Sequence, residues 1–222
     1  MVVAAHQAQF LPYLGFFNKM KNCDMFVLLD DVQFVKNEWH NRNRIRTKYG
    51  WQWLTVPVIH NFGQLIKDVK INNKTKWRHK HLQAFITNYS KAKHFEDYIG
   101  FLKETYEKEW TKLIDINLHF IFFIANELEI KTPIVFSSEL GIKPTRTQRL
   151  IDICKKLGAD TYLSGGGGYY YLVFSLFRQA RIRLKFQNYV YPRYTQQYEG
   201  FVPYLSAIDL ILNYGKEGCK FI

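Results

Sequence analysis

Cysteine is scarce: Cys23, Cys154 and Cys219 are the three in 222 residues. Widely separated and odd in number, they exclude a disulfide framework and the CxxC spacing of a structural zinc site, and they read as reduced thiols. Long hydrophobic runs are missing as well. The most apolar stretch, Phe120-Ile121-Phe122-Phe123-Ile124-Ala125, is flanked by His119 and Asn126. It falls far short of the roughly 20 residues that cross a bilayer, so it reads as a core helix. The opening Met1-Val2-Val3-Ala4-Ala5-His6 has neither the basic nor the long apolar region of an export signal, and reads as a short buried strand. A cytoplasmic location is the expectation.

Acidic residues are few, 19 against 31 Lys and Arg, giving a formal charge of +12. That balance favours anionic partners: nucleotides, nucleic acid, phospholipid carriers or, by peripheral contact, an anionic membrane face. Nucleic acid is the weakest of these, because the charge is spread along the chain and no recognised binding motif is present. Several signatures are also lacking. There is no GxxxxGK[ST], no GxGxxG and no Ser, His and Asp set in a nucleophile-elbow context. His79 and His81 stand two apart and diverge around a helix. No metal site is predicted.

What is present suits a folded α/β body. Apolar residues make up 47% and aromatics 17% of the chain, far from a disordered composition. The pattern predicts one domain, 1–222, with a parallel-sheet, Rossmann-like core. It opens as a βαβ unit: strand Val2 to Ala5, a loop from His6 to Gly15, a helix from about Phe16 to Cys23, and strand Met25 to Leu29. A β-hairpin follows around Lys48-Tyr49-Gly50, between Arg44 to Thr47 and Trp51 to Val58. A helical insertion of two or three helices is expected over about 74–130. A second βαβ unit runs from Ile134 to Leu163 and closes on Ser164-Gly165-Gly166-Gly167-Gly168. Helix near Tyr170 to Ala180, strand near Arg183 to Phe186 and helix near Pro203 to Asn213 complete the chain.

Functional groups in such folds gather at the carboxyl ends of parallel strands. Three loops leave predicted strand ends: His6 to Gly15, Asp30 to Gln33, and Ser164 to Gly168. His6, Asp30 and Asp31 are the candidate catalytic groups, since an imidazole or a carboxylate at a strand end can accept a proton. The competing reading of the Asp pair is a turn and cap. Arg42 and Arg44, beside Asn41, carry the bidentate fork that suits phosphate or carboxylate, or else form a solvated hairpin edge. The four glycines let backbone N–H groups converge on an anion, or serve as a flexible connector.

The segments His6-Gln7 with Phe10-Leu11-Pro12 and Gly15, Leu29-Asp30-Asp31-Val32-Gln33-Phe34, Asn41-Arg42-Asn43 and Trp53-Leu54-Thr55-Val56-Pro57 resemble the WbqC-like family. Leu157-Gly158-Ala159-Asp160, Tyr162-Leu163-Ser164-Gly165, Phe186-Gln187 and Phe201-Val202-Pro203 with Leu205-Ser206 and Asp209 extend the resemblance over nearly the whole chain. It implies a bacterial protein of lipopolysaccharide O-antigen or related surface-polysaccharide synthesis, and a glycine transferase acting on an amino sugar. Two positions depart from the family pattern: Ala8 stands where Pro is usual, and Tyr191 stands where His is usual, removing one candidate base. The opening is also similar, in part, to nucleotidyltransferase folds, though without their paired His residues.

The function expected is transfer of a glycyl or other acyl group to the amine of an amino sugar or sugar nucleotide. His6, Asp30 or Asp31 would accept the amine proton. The substrate-binding set is Gln7 and Pro12 on the first loop, Arg42, Arg44, Ser164, Gly165, Gly166, Gly167 and Gly168 for phosphates, and Gln33, Asn41 and Gln187 for hydroxyls. The alternatives are an ATP-dependent nucleotidyl or adenylyl transferase, which would need ATP and Mg²⁺ with the Asp pair as ligands, and a non-catalytic sugar-nucleotide-binding protein.

Overall fold

The computed structural model describes residues 1–143 and 146–222. Its centre is a sheet of five parallel strands: β1 (Val2–Gln7), β2 (Met25–Leu29), β7 (Ile134–Phe136), β8 (Thr161–Ser164) and β9 (Arg183–Phe186). They lie in the order β7-β2-β1-β8-β9. Helix α1 (Leu14–Lys21) joins β1 to β2, α5 (Arg146–Lys156) joins β7 to β8, and α6 (Phe174–Gln179) joins β8 to β9. The Rossmann-like α/β core expected from the sequence is therefore present.

Both faces of this sheet are covered, which is why its strands are apolar without a clean alternation. Ala4, Phe26 and Leu28 face one core with Phe16, Phe17 and Met20 of α1. Val3, Ala5 and Val27, their neighbours along the same strands, face a second core with Leu150, Ile151, Ile153 and Cys154 of α5. Successive strand residues point to opposite sides, so a one-residue slip of β1 would exchange the two faces. Helix α5 ends where Gly158 takes φ +70°. The Gly158 and Ala159 amides bond back to Lys155 O and Cys154 O at 3.1 and 2.8 Å, closing the helix with a left-handed residue that glycine adopts without strain.

Between β2 and β7 the chain makes its long excursion. Strands β3 (Arg42–Thr47) and β4 (Gly50–Thr55) form the hairpin, and a second, two-residue pair, β5 (Val58–Ile59) with β6 (Lys70–Ile71), follows. The sequence expected one strand through to Val58. It is divided because Val56 leaves the ladder and its amide bonds to Asn41 O at 2.8 Å. The insertion holds three helices, α2 (Trp77–Tyr89), α3 (Phe95–Glu107) and α4 (Leu113–Glu127), and α4 contains the Phe120 to Ala125 stretch as a core helix. The last helix, α7 (Ile208–Tyr214), starts later than expected. No helix among the described residues is long and apolar enough to cross a membrane.

Candidate functional site

β1 is the strand at which the winding reverses: β2 lies on one side and β8 on the other, so the loops leaving their carboxyl ends part around β1. A crevice at such a switch point is where open α/β sheets take ligands. Here it is a cavity of about 480 Å³ lined by His6, Gln7, Gly15, Lys19, Gly165 to Gly168 and Gln187 among others. A larger cavity of about 630 Å³ lies between β4 and α2. Its histidine, His81, is buried with Nε2 on Thr55 O at 3.1 Å, and no strand of the central sheet opens into it.

His6 stands against Phe16 edge to face, ring centroids 5.0 Å apart. Its Nδ1–H donates to Gln7 O at 3.1 Å, which leaves Nε2 as a free lone pair. Burial, and after it the charge of Lys19, holds the imidazole down to about 3, so the ring is neutral at pH 7. Gln7 is aimed by His40. His40 Nδ1 accepts the Val35 amide at 3.1 Å, so Nε2 carries the proton and donates to Gln7 Oε1 at 2.9 Å. The Gln7 amide oxygen is thus committed to His40, which leaves its NH₂ as the donor end.

Lys19 is the ammonium of this cavity. It is 4% exposed, and Nζ donates to Ala5 O at 2.8 Å. Burial pulls it down to about 8, which leaves it mostly charged at neutral pH. Lys19 is not among the candidates read from the sequence, yet its spacing was a signal: three residues after Phe16 and four after Gly15, it sits on the buried stripe of α1.

The glycines divide into two kinds. A Cβ on Gly168 would fall 2.0 Å from Ser164 Oγ, and one on Gly15 would fall 2.4 Å from the Tyr13 ring, so a side chain at either would have to displace that neighbour. A Cβ on Gly165, Gly166 or Gly167 would meet nothing within 4 Å, and none of the three has positive φ. Neither packing nor backbone conformation explains these three, which leave the backbone bare along the cavity. The run enters a single 3₁₀ stretch, Gly166–Tyr170, before α6, so it is a ledge along the cavity and not the start of a long helix.

Other predicted residues have protein partners. Asp30 accepts from Ser137 Oγ at 3.1 Å, Ser138 N at 2.9 Å and Ser138 Oγ at 2.6 Å. Asp31 pairs with Arg149 and accepts from Ser137. Burial raises the Asp31 carboxyl, but these partners outweigh it and hold it low. Both carboxylates tie the end of β2 to the segment after β7, outside the lining of the His6 cavity. As Mg²⁺ ligands they would have to surrender these bonds, so the donor set does not fit a metal. Asn41 Nδ2 bonds Val56 O at 2.9 Å, Pro12 O accepts Ala207 N at 2.8 Å, and Gln33 is exposed beside Leu65. Gln187 does line the cavity, its Nε2 bonded to Gly15 O at 2.9 Å and Asn18 Oδ1 at 2.7 Å. Ser164, whose Oγ bonds Gly165 O at 3.0 Å, supports the ledge from below.

Arg44 lines a third cavity of about 450 Å³ with Gln9, Trp39 and Tyr204, and this cavity shares His6 and Tyr13 with the first. Arg42 lies further out, stacked on Trp53 with its guanidinium carbon 4.1 Å from a ring centroid.

Fold and site together define an α/β protein with a cavity at the switch point of a parallel sheet, lined by a neutral imidazole, a buried ammonium and a bare glycine ledge. The chain belongs to the WbqC-like protein family, which matches it over residues 7–221. It is 34% identical, over 99% of its length and 96% of the relative's, to a Mycobacterium tuberculosis (strain ATCC 25618 / H37Rv) protein described as uncharacterized protein Rv1507c. No solved structure matches it.

Proposed function

We propose that the protein is a transferase of bacterial surface-polysaccharide synthesis that adds a glycyl or other acyl group to the amine of a nucleotide-linked amino sugar. The observation that carries this reading is the bare ledge Gly165 to Gly167, which faces the same cavity as the free Nε2 of His6 and the ammonium of Lys19. A phosphate group against the ledge receives backbone N–H groups and the Lys19 charge, an arrangement that suits the diphosphate of a sugar nucleotide. The resemblance to surface-polysaccharide proteins supplies the sugar.

The chemistry follows from the neutral imidazole. The sugar amine forms a C–N bond to the carbonyl carbon of an activated acyl ester or thioester. Its proton passes to His6 Nε2 and then to the departing oxygen or sulfur as the bond from that atom to the acyl carbon breaks. A ring held down to about 3 is a weak base. Burial is the larger cause of that depression, but an anionic substrate beside Lys19 offsets the part due to the Lys19 charge, which raises the basicity of the ring when substrate is bound. Gln7, fixed by His40, orients a hydroxyl or the acyl carbonyl.

The test is mass spectrometry of a UDP- or dTDP-amino sugar incubated with the protein and activated glycine. A mass gain of one glycyl residue is expected with the wild type. His6→Ala should lower the rate by about a hundredfold or more while still binding the sugar nucleotide. Equal turnover by His6→Ala would remove the imidazole from the mechanism. Release of pyrophosphate from ATP in place of acyl transfer would assign nucleotidyl chemistry instead.

A further inference from the structure

The outer face of the hairpin carries a group of side chains that the His6 cavity does not use. Arg42 and Arg44 alternate along β3, and Trp51 and Trp53 along β4, with Arg44 directly opposite Trp53 in register. All four project from the face opposite Asn43, Ile45 and Leu54, which are buried. Trp39 closes the group from the preceding loop. Its ring centroid is 5.6 Å from that of Trp53, and Trp51 stands edge to face against Trp53 at 5.4 Å. These three indoles remain 38, 44 and 36% exposed in chain order, although they would gain by burial.

The guanidinium groups are held but not neutralised. Arg42 lies over Trp53, and the Arg44 guanidinium carbon is 5.0 Å from the Trp51 ring centroid. Arg44 also donates to Tyr204 O at 3.1 Å. No carboxylate among the described residues forms an ion pair with either arginine. The neighbouring Arg46 differs, since its guanidinium is spent on Thr47 O, Gly50 O and Glu199 O. Two oriented cations and a three-indole box therefore surround a hollow of about 310 Å³, with Asn37 and Glu38 on its rim.

We propose that this hollow is a saccharide subsite that takes one anionic pyranose residue, a uronic acid or a phosphorylated hexose. The indoles give the ring an apolar platform. Arg42 and Arg44 bind the carboxylate or phosphate through their forks, and Glu38 and Asn37 meet hydroxyls. A single-stranded nucleic acid fits less well, because it needs aromatic rings spaced along a positive track, one per base. Here the rings crowd around one position, and Glu38 repels a continuing phosphate chain. The subsite adjoins the middle cavity, with which it shares Trp39 and Arg44, and that cavity in turn shares His6 and Tyr13 with the first. A saccharide unit seated here is thus distinct from the unit at His6. The subsite stands whether or not His6 performs acyl transfer.

Indole fluorescence and calorimetry of the full chain test it, with tri-galacturonic acid and galactose 1-phosphate as probes and a neutral trisaccharide and oligo-dT as comparisons. Binding of either anionic probe with an indole signal is expected, at least about tenfold tighter than the neutral sugar. It should weaken at least about tenfold in Arg42→Gln and in Trp53→Ala, and persist in His6→Ala. Melting curves of the two variants establish that they remain folded, and Arg42→Gln alone decides if Trp53→Ala does not. Binding that ignores Arg42→Gln, equal binding of the neutral sugar, absence of binding to both anionic probes, or tighter Arg42-dependent binding of oligo-dT would overturn it.

Discussion

At the residue scale, Lys19 is the side chain whose energetics point most clearly away from a structural role. A buried ammonium pulled down to about 8 disfavours the folded state at neutral pH. The sign follows from linkage: because the folded pKa lies below the unfolded one of about 10.4, stability rises as pH climbs through that interval. Lys19→Met keeps the length of the side chain and removes the charge. It is expected to raise stability by about 2 kcal/mol at pH 7 in chemical denaturation, and to raise the His6 pKa read from its ring protons by NMR. It should also weaken sugar-nucleotide binding. A variant that is less stable yet binds as well as the wild type would make Lys19 a structural residue.

At the scale of elements, much of this architecture was legible in the sequence. Apolar runs bounded by turns gave the strands of the parallel core, and the helical spacing over 74–130 gave the inserted layer. The turn at Lys48-Tyr49-Gly50 gave the hairpin, where Gly50 takes φ +131°. The meeting of His6 with the glycine ledge required β1 and β8 to be neighbours, which the strand order supplies and the sequence did not. What stayed hidden depends on partners distant in sequence. Asp30 and Asp31 looked free because Ser137, Ser138 and Arg149, more than 100 residues away, could not be paired with them beforehand. Asn41 read as a ligand donor, but it holds the backbone at Val56. Trp51 and Trp53 were legible as strand residues, whereas their shared outward face emerges only from the register of the hairpin.

At the scale of the whole molecule, buried histidines set the response to acid. His6 is held down to about 3, and burial holds His40 and His81 down to about 4. Each prefers to be neutral in the fold, so its contribution is fully present above the unfolded value of about 6.5 and is lost as pH falls toward 4. Asp209 opposes them. Burial pushes its carboxyl up to about 6 despite bonds from Tyr89, Tyr194 and Gln196, so its contribution grows as pH falls through that range. Three groups against one leave a net loss. Urea midpoints are expected to fall between pH 7 and pH 5, with His40 and His81 each steepening the slope by up to about 1.4 kcal/mol per pH unit. A flat profile would mean that the rings are already protonated or solvated in the fold.

The cavity at the switch point, with its bare glycine ledge, is the feature on which the functional reading depends. The most direct measurement is a melting curve of wild type and Gly166→Val, with and without a UDP-amino sugar. A side chain at Gly166 meets open space and needs no positive φ, so the variant should melt within a few degrees of the wild type when free. Ligand should then raise the wild-type midpoint and leave that of Gly166→Val where it was, because the new side chain occupies the place of the phosphates. An equal shift in both proteins would contradict the account.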